Sequence, residues 1–148
     1  MTIRRAGAPD VPALAEMRHE WTVEWSDGET VDDPDYRARF AAWFAAEPGR
    51  LWWVAQDGPA TVGMLNMVVF TRMPRPGRPV SRWGYIANVF VRPKYRDAGA
   101  GRELLDAAIA YARDEDFARL VLSPSERSVP FYRRAGFGPA DNLLRWEG

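Results

Sequence analysis

The chain has 148 residues, 47% of them hydrophobic, and its 20 basic and 20 acidic residues give a formal net charge of zero. This balance provides neither a global positive field for nucleic acid nor the acidic excess that is typical of disorder. The absence of cysteine, with His19 as the single histidine, excludes disulfides, thiolate chemistry and a histidine-based metal centre. We expect one domain over residues 1–148, without a metal.

The sequence has no targeting or membrane-spanning signal. No 18 consecutive apolar residues occur, and the two arginines near the N-terminus are not followed by the apolar run of a secretory signal. We therefore expect a soluble cytoplasmic protein that binds neither membranes nor nucleic acid.

The first half of the chain begins with a predicted edge strand, TIRR, and a helix from about residue 10 to 21. An acidic, turn-rich segment at 20–36 follows, and helical spacing then returns until Pro48. LWWVAQDG and TVGMLNMVVF predict an antiparallel hairpin with an Asp-Gly turn. WGYIANVFVRP predicts a fourth strand that ends at Pro93.

The second half predicts a long helix over 101–116, with Leu104, Leu105 and Ala108 on one face. ARLVLS predicts a further strand, SVPFYRRAG a short helix that ends at Gly136, and NLLRW a last strand. The order β, α, α, β, β, β, α, β, α, β predicts an α/β protein with a mixed sheet.

The stretch RDAGAG lies between the fourth predicted strand and the long helix. A helix N-terminus has unpaired N–H groups and a partial positive charge, so it attracts anions such as phosphate. Gly99 and Gly101 let a bulky anion approach the amides of residues 97–102, and Arg96 and Arg102 add charge-assisted hydrogen bonds. The pattern predicts a pyrophosphate-binding loop; the alternative is an ordinary glycine-containing helix start.

NVFVRPKYRDAGAGRELLDAAIAYA resembles the acyl-CoA binding motif of the GNAT superfamily of N-acetyltransferases, and SERSVPFYRRAGF resembles its second motif. Together the two motifs span residues 88–137. The resemblance implies a GNAT fold: a mixed, mostly antiparallel central sheet of six to seven strands, flanked by about four helices, with a splay between the fourth and fifth strands. It also implies acetyl-CoA as the cosubstrate, without a metal, and it favours a homodimer.

The resemblance further implies roles for single residues. Backbone N–H groups around Val89 and Val91 would stabilise an oxyanion, and Tyr132 would be the general acid that protonates the CoA thiolate. The residues implied in acetyl-CoA binding, besides these two valines, are Arg96, Asp97, Ala98, Gly99, Ala100, Gly101, Arg102, Ser125 and Ser128. For Tyr132 the alternative is an aromatic core residue, and Ser128 before Pro130 is also typical of a helix N-cap.

The general base and the acceptor are less defined. YIANVFV carries no carboxylate where many GNAT relatives have Glu, so either Glu20 or Glu24 serves as the base or the site takes an amine that is already neutral. The segment 20–35 is rich in carboxylates and lacks Lys and Arg. An acidic and aromatic wall of Trp21, Glu24 and Trp25 would suit a cationic amine; the alternative is a solvated acidic loop.

The sequence therefore predicts an acetyl-CoA-dependent N-acetyltransferase that acetylates a primary amine of a small molecule by direct attack. Acetylation of a protein or peptide amine is a first alternative. A catalytically silent acyl-CoA sensor or interaction module is a second, which the missing strand carboxylate favours. The third is a nucleic-acid binder that uses the Arg-rich loop 71–82, but this chain lacks the net positive charge that such a role requires.

Overall fold

One central sheet of five strands organises the structure, a computed structural model that describes residues 1–29 and 31–148. The first four strands are antiparallel to their neighbours and the fifth runs parallel to the fourth. The strands are β1 Thr2–Arg5, β2 Leu51–Asp57, β3 Ala60–Thr71, β4 Arg82–Val91 and β5 Leu120–Leu122. The prediction of a mixed, mostly antiparallel sheet is confirmed, and so is the predicted hairpin, which β2 and β3 form.

Four helices accompany the sheet: α1 Val11–Trp25, α2 Tyr36–Ala45, α3 Ala100–Asp114 and α4 Val129–Arg134. Short 3-10 helices, Ala8–Asp10, Pro93–Tyr95 and Glu126–Ser128, lie on the N-terminal sides of α1, α3 and α4. The four predicted helices are confirmed, although α1 continues beyond residue 21. Among the described residues, none of these helices has the length and apolar content that a bilayer crossing requires. Residue 30, in the acidic segment, lies outside the described part.

Both faces of the sheet are covered, which explains the unbroken apolar run of β2. Because side chains alternate between the two faces of a strand, Trp52 and Val54 pack with α1 and α2, whereas Trp53 packs with α3. Leu104 and Leu105 of α3 are fully buried on that second face. Burial of each large apolar side chain stabilises the fold by about 1.5–3 kcal/mol.

The edge of β4 that faces β5 is only partly paired. Residues Leu120–Leu122 pair with Gly84–Ile86, whereas β4 continues as far as Val91. The second half of β4 therefore borders a gap on that side, because β5 does not follow it. A splay between the fourth and fifth strands would leave such an unpaired edge, and the splay itself stays a prediction.

A β-bulge at Ala87 decides which backbone groups of β4 face this gap. The residues on either side of Ala87 pair with consecutive residues of β3, so Ala87 is the extra residue. The Gly84 N–H donates toward β5, whereas the Arg92 N–H donates toward β3. Without a bulge these two N–H groups would point to the same edge, because they are an even number of residues apart. After the bulge, the N–H groups of Val89 and Val91 consequently face the gap.

The prediction of six to seven strands is wrong, since the described residues form five. The segment NLLRW does not form the predicted last strand, and residues 143–148 have no regular secondary structure. Leu144 and Trp146 are almost fully exposed. An apolar pattern becomes a strand only where a neighbouring edge supplies hydrogen bonds and packing, and no described strand pairs with this segment.

Gly84 lies where β3, β4 and β5 are packed most tightly. A Cβ at this position would lie 2.7 Å from Met67 Sδ and 2.8 Å from Leu120 Cδ2. We expect Gly84→Ala to lower the free energy of unfolding by about 1 kcal/mol or more in a urea titration. Gly49→Ala is the control, because a Cβ there would meet nothing within 4 Å; equal stability of the two variants would contradict this packing.

Candidate functional site

The start of α3 forms one part of the site, beside an open cavity of about 310 Å³. The N-cap residue is Gly99, whose φ of +89° favours glycine, and no side chain of the protein caps the helix. The first amides of α3 therefore remain available, with the partial positive charge of a helix N-terminus. An anion of the size of a phosphate is a typical ligand of such a position.

Packing within the protein does not require glycine at position 101. A Cβ on Gly101 would lie 3.6 Å from the Phe131 ring and 3.7 Å from Val91, which is ordinary van der Waals contact. Alanine would therefore fit, and it would favour the helix by up to about 1 kcal/mol. The missing Cβ instead leaves room for a molecule that approaches the amides from the cavity.

Three arginines line this cavity, and the protein itself engages two of them. Arg96 donates two hydrogen bonds of 2.7 Å to the Glu24 carboxylate. Arg102 donates to Asp106 at 2.9 Å and to the Arg134 carbonyl at 3.2 Å. The predicted contact of Arg96 with phosphate stays a prediction. Sequence reasoning missed Arg134, the third arginine, although its signal is the basic pair in FYRRAG.

The other residues predicted to bind acetyl-CoA fall into two groups. Asp97 and Ala100 line the α3 cavity, and Asp97 has left-handed backbone, with φ of +64°; Ala98 lies between them on the loop. Ser125 and Ser128 do not line it: their hydroxyls hydrogen-bond each other at 2.9 Å, and Ser128 Oγ also donates to the Ser125 carbonyl. Ser128 occupies the N-cap position of α4, as the alternative predicted, but its side chain makes no capping hydrogen bond to the helix.

The gap between β4 and β5 is the second part of the site. The N–H groups of Val89 and Val91 face it, and Val91 also lines the cavity at the start of α3. The two parts of the site are therefore continuous. A backbone N–H held on a strand can stabilise negative charge that develops on an oxygen in the gap.

Tyr132 lies on α4, beside β5. Its ring packs against Phe131 and Phe137, with centroid distances of 5.0 and 5.9 Å. It also lines a cavity of about 290 Å³ together with residues Leu120–Leu122. Burial raises the pKa of the Tyr132 phenol, so the group stays protonated through neutral pH. The structure thus places a protonated phenol on α4, beside the strand that bounds the gap.

The three residues predicted to form an acceptor wall do not share one cavity. Trp21 stacks on Phe90 of β4, with ring centroids 5.6 Å apart, and Trp25 is 76% exposed. Glu24 is bound by Arg96, whose hydrogen bonds lower the pKa of the Glu24 carboxyl. Glu24 is therefore a weak proton acceptor.

Glu20 has a different environment from Glu24. Burial raises the pKa of the Glu20 carboxyl. The positive charge of Arg92, whose Nη2 lies 3.3 Å from Glu20 Oε1, opposes this shift but does not cancel it. Glu20 also lines a cavity of about 320 Å³ together with Phe90 of β4. A carboxylate with a raised pKa beside a cavity suits the role of a proton acceptor.

A larger cavity, of about 470 Å³, lies between α2 and the sheet. Four aromatic residues contribute to its wall: Tyr36, Phe40, Trp43 and Trp52. Asn88 of β4 also lines it, and Asn88 directly precedes Val89, whose N–H faces the gap. This cavity therefore reaches β4 beside the gap. Sequence reasoning missed it because its wall combines residues of α1, α2, β2, β3 and β4.

A sequence profile of the acetyltransferase (GNAT) family matches residues 14–137. The chain belongs to the GNAT family. Two solved structures share the fold of this GNAT protein over 99% of its length. A predicted acetyltransferase with acetyl-CoA from Clostridium acetobutylicum aligns over 95% of its own chain, with a TM-score of 0.76 and 19% identity. A GCN5-related N-acetyltransferase from Ralstonia eutropha JMP134 aligns over 97%, with a TM-score of 0.72 and 25% identity.

A curated relative of this GNAT protein is the glucosamine 6-phosphate N-acetyltransferase of Trypanosoma brucei brucei. The two are 33% identical over 84 residues, which are 57% of this chain and 55% of the relative. The chain thus spans about half the length of that protein.

GNAT acetyltransferases use acetyl-CoA, and the residues at the start of α3 fit this molecule. Acetyl-CoA carries a diphosphate, the kind of anion that an uncapped helix N-terminus binds. The space that Gly101 leaves open lies beside these amides. Both features belong to the described structure and do not depend on the family match.

We expect Gly101→Ala to weaken acetyl-CoA binding by about tenfold or more, because the added methyl group occupies the approach to the amides. The free energy of unfolding without ligand should stay equal or rise by up to about 1 kcal/mol. Calorimetric titration and urea unfolding measure the two quantities, with Gly49→Ala as the control. Unchanged affinity in Gly101→Ala would contradict the predicted binding of the diphosphate at the start of α3.

Proposed function

We propose that this GNAT protein transfers the acetyl group of acetyl-CoA to a primary amine of a small molecule, by direct attack of the amine on the thioester. The observation that carries the proposal is the continuity of two features, the uncapped start of α3 and the unpaired edge of β4, which meet at Val91. Acetyl-CoA supplies the reactive thioester. The chain binds and orients it, stabilises charge and moves protons.

The backbone performs the first two tasks. The amides of residues 99–102 bind the diphosphate, and Arg134 adds positive charge to the same cavity. The N–H of Val89 or Val91 donates to the thioester oxygen as negative charge grows on it. A preorganised donor of this kind contributes about 3 kcal/mol to the transition state.

Tyr132 is the proposed general acid. The CoA thiolate needs a proton when it departs, and a phenol with a reference pKa of about 10 remains protonated at neutral pH while lying within reach of thiolate basicity. Burial raises the pKa of Tyr132 further, which keeps the proton available over a wide pH range. The position of Tyr132 beside β5 supports this role.

Glu20 is the proposed general base. An alkylammonium must lose a proton before its nitrogen can attack. Burial raises the pKa of Glu20 toward neutral pH, which makes this carboxylate a better proton acceptor than an ordinary glutamate. The cavity that Glu20 shares with Phe90 supports the role, since Phe90 lies between Val89 and Val91 on β4.

The acceptor is proposed only as a class. The curated relative is named for glucosamine 6-phosphate, which makes this amino sugar one of the first amines to assay. A catalytically silent acyl-CoA sensor remains the second candidate, because β4 carries no carboxylate at its unpaired edge. Binding of acetyl-CoA without release of free thiol in the presence of any amine would favour the sensor.

We expect Tyr132→Phe to lower turnover by about tenfold or more, because the thiolate loses its proton donor. The affinity for acetyl-CoA, measured by calorimetry, should not change. Tyr111→Phe is the matched control, since the Tyr111 ring packs against Trp53, on β2. Turnover in Tyr132→Phe equal to that of the parent would remove the general-acid assignment.

We expect the pH profile of kcat/KM to have an acidic limb that depends on Glu20. Because the folded pKa of Glu20 lies above the ordinary value of a glutamate, activity falls with decreasing pH as the carboxylate becomes protonated. Glu20→Gln should lower kcat/KM by about a hundredfold and remove this limb. Glu24→Gln should retain it, since Arg96 lowers the pKa of Glu24; an unaltered limb in Glu20→Gln would contradict the assignment.

A further inference from the structure

The polar groups of the cavity between α2 and the sheet are oriented by a chain of three side chains that starts at Arg50. The Arg50 side chain is only 15% exposed, and its Nη1 donates to Asn66 Oδ1 at 2.9 Å. Asn66 is fully buried, and its Nδ2 donates to Asn88 Oδ1 at 2.8 Å. Asn88 then lines the cavity.

The positive charge of Arg50 fixes how the two asparagine amide groups in this hydrogen-bond series are oriented. A guanidinium has donors and no acceptor, so Asn66 must turn its oxygen toward Arg50 and its NH2 group toward Asn88. Asn88 must in turn use its oxygen for Asn66. The Asn88 NH2 group therefore faces the cavity and is available to donate a hydrogen bond to an acceptor oxygen there.

Arginines supply positive charge to the same cavity. Arg18 of α1 and Arg39 of α2 both line it, and among the described residues of its wall none is Asp or Glu. Asp33 pairs with Arg39. Arg18 has no carboxylate partner in the described part of the chain; its guanidinium lies instead over the Trp21 ring, 4.9 Å from the centroid.

We infer that this cavity binds the acceptor and that the acceptor is an amine with an anionic group, a carboxylate or a phosphate, which Arg18 binds while the Asn88 NH2 group donates to another oxygen of the same molecule. This inference rests on the proposed function and names its substrate class. Asn88 directly precedes Val89, so an acceptor held at Asn88 lies beside the edge of β4 where the thioester is expected. The aromatic wall packs against the uncharged part of the molecule.

The test uses two pairs of amines that differ in the anion alone. Glucosamine 6-phosphate is compared with glucosamine, and phenylalanine with phenethylamine. Calorimetry in the presence of CoA measures binding, and release of free thiol from acetyl-CoA measures turnover. The anionic member of at least one pair should bind about tenfold more tightly or better, as a charge-assisted contact predicts, and the pair that responds distinguishes phosphate from carboxylate.

Substitutions in the cavity wall test whether this cavity causes the preference for the anionic amine. Arg18→Gln should reduce the ratio between the two members of the pair to below about threefold, without changing the affinity for CoA. Asn88→Asp should also reduce it, because the variant keeps an acceptor for Asn66 Nδ2 but replaces the donor in the cavity by negative charge. Arg37→Gln is the matched control: it removes the same charge from an exposed residue of α2 that does not line the cavity.

Two results would overturn the inference. One is that, in both pairs, the anionic amine binds no more tightly than its neutral partner, or does not bind at all. The other is a preference that persists in Arg18→Gln. The proposed function fails separately: anion-selective binding without thiol release contradicts only the transfer reaction, whereas thiol release with neutral amines and no anion preference contradicts only the substrate class.

Discussion

The short pairing of β5 with β4 is the constraint on which the site depends. After Ile86 the two strands no longer pair, and a sheet edge within a protein normally requires partners for its N–H groups. The bulge at Ala87 turns the groups of Val89 and Val91 into this gap rather than toward β3. A fully paired sheet would have used these donors for folding; here they remain free of a strand partner within the described part of the chain, and we propose that they bind the thioester oxygen.

Ion pairs connect α1 to the end of β4 and to the loop before α3. Arg92, just after β4, lies near both Glu16 and Glu20, and Arg96 binds Glu24. These contacts hold the proposed base close to the gap and give Glu20 and Glu24 opposite pKa shifts. They also offset the negative charge of α1, so the positive charge of Arg18 dominates the neighbouring cavity.

Local sequence patterns predicted those structural features that are determined by residues close together in the sequence. The hairpin of β2 and β3, the apolar face of α3 and the glycine at its N-cap are such features, and the structure contains all three. The ion pair of Arg96 joins residues 72 apart, so no local pattern reveals it, and the acidic run from Glu20 does not indicate its arginine partners. The prediction of a strand over NLLRW is wrong for a related reason. The apolar pattern is local in sequence, but a strand also needs the edge of another strand to pair with, and that edge comes from a distant part of the chain.

We propose that the start of α3 binds the diphosphate of acetyl-CoA while the edge of β4 receives the thioester. A crystal structure of the protein with acetyl-CoA tests both parts at once. We expect phosphate oxygens about 2.7–3.2 Å from the amide nitrogens of residues 99–102, and the thioester oxygen at the same distance from the amide nitrogen of Val89 or Val91. A diphosphate bound elsewhere, or a thioester outside the gap between β4 and β5, would contradict it.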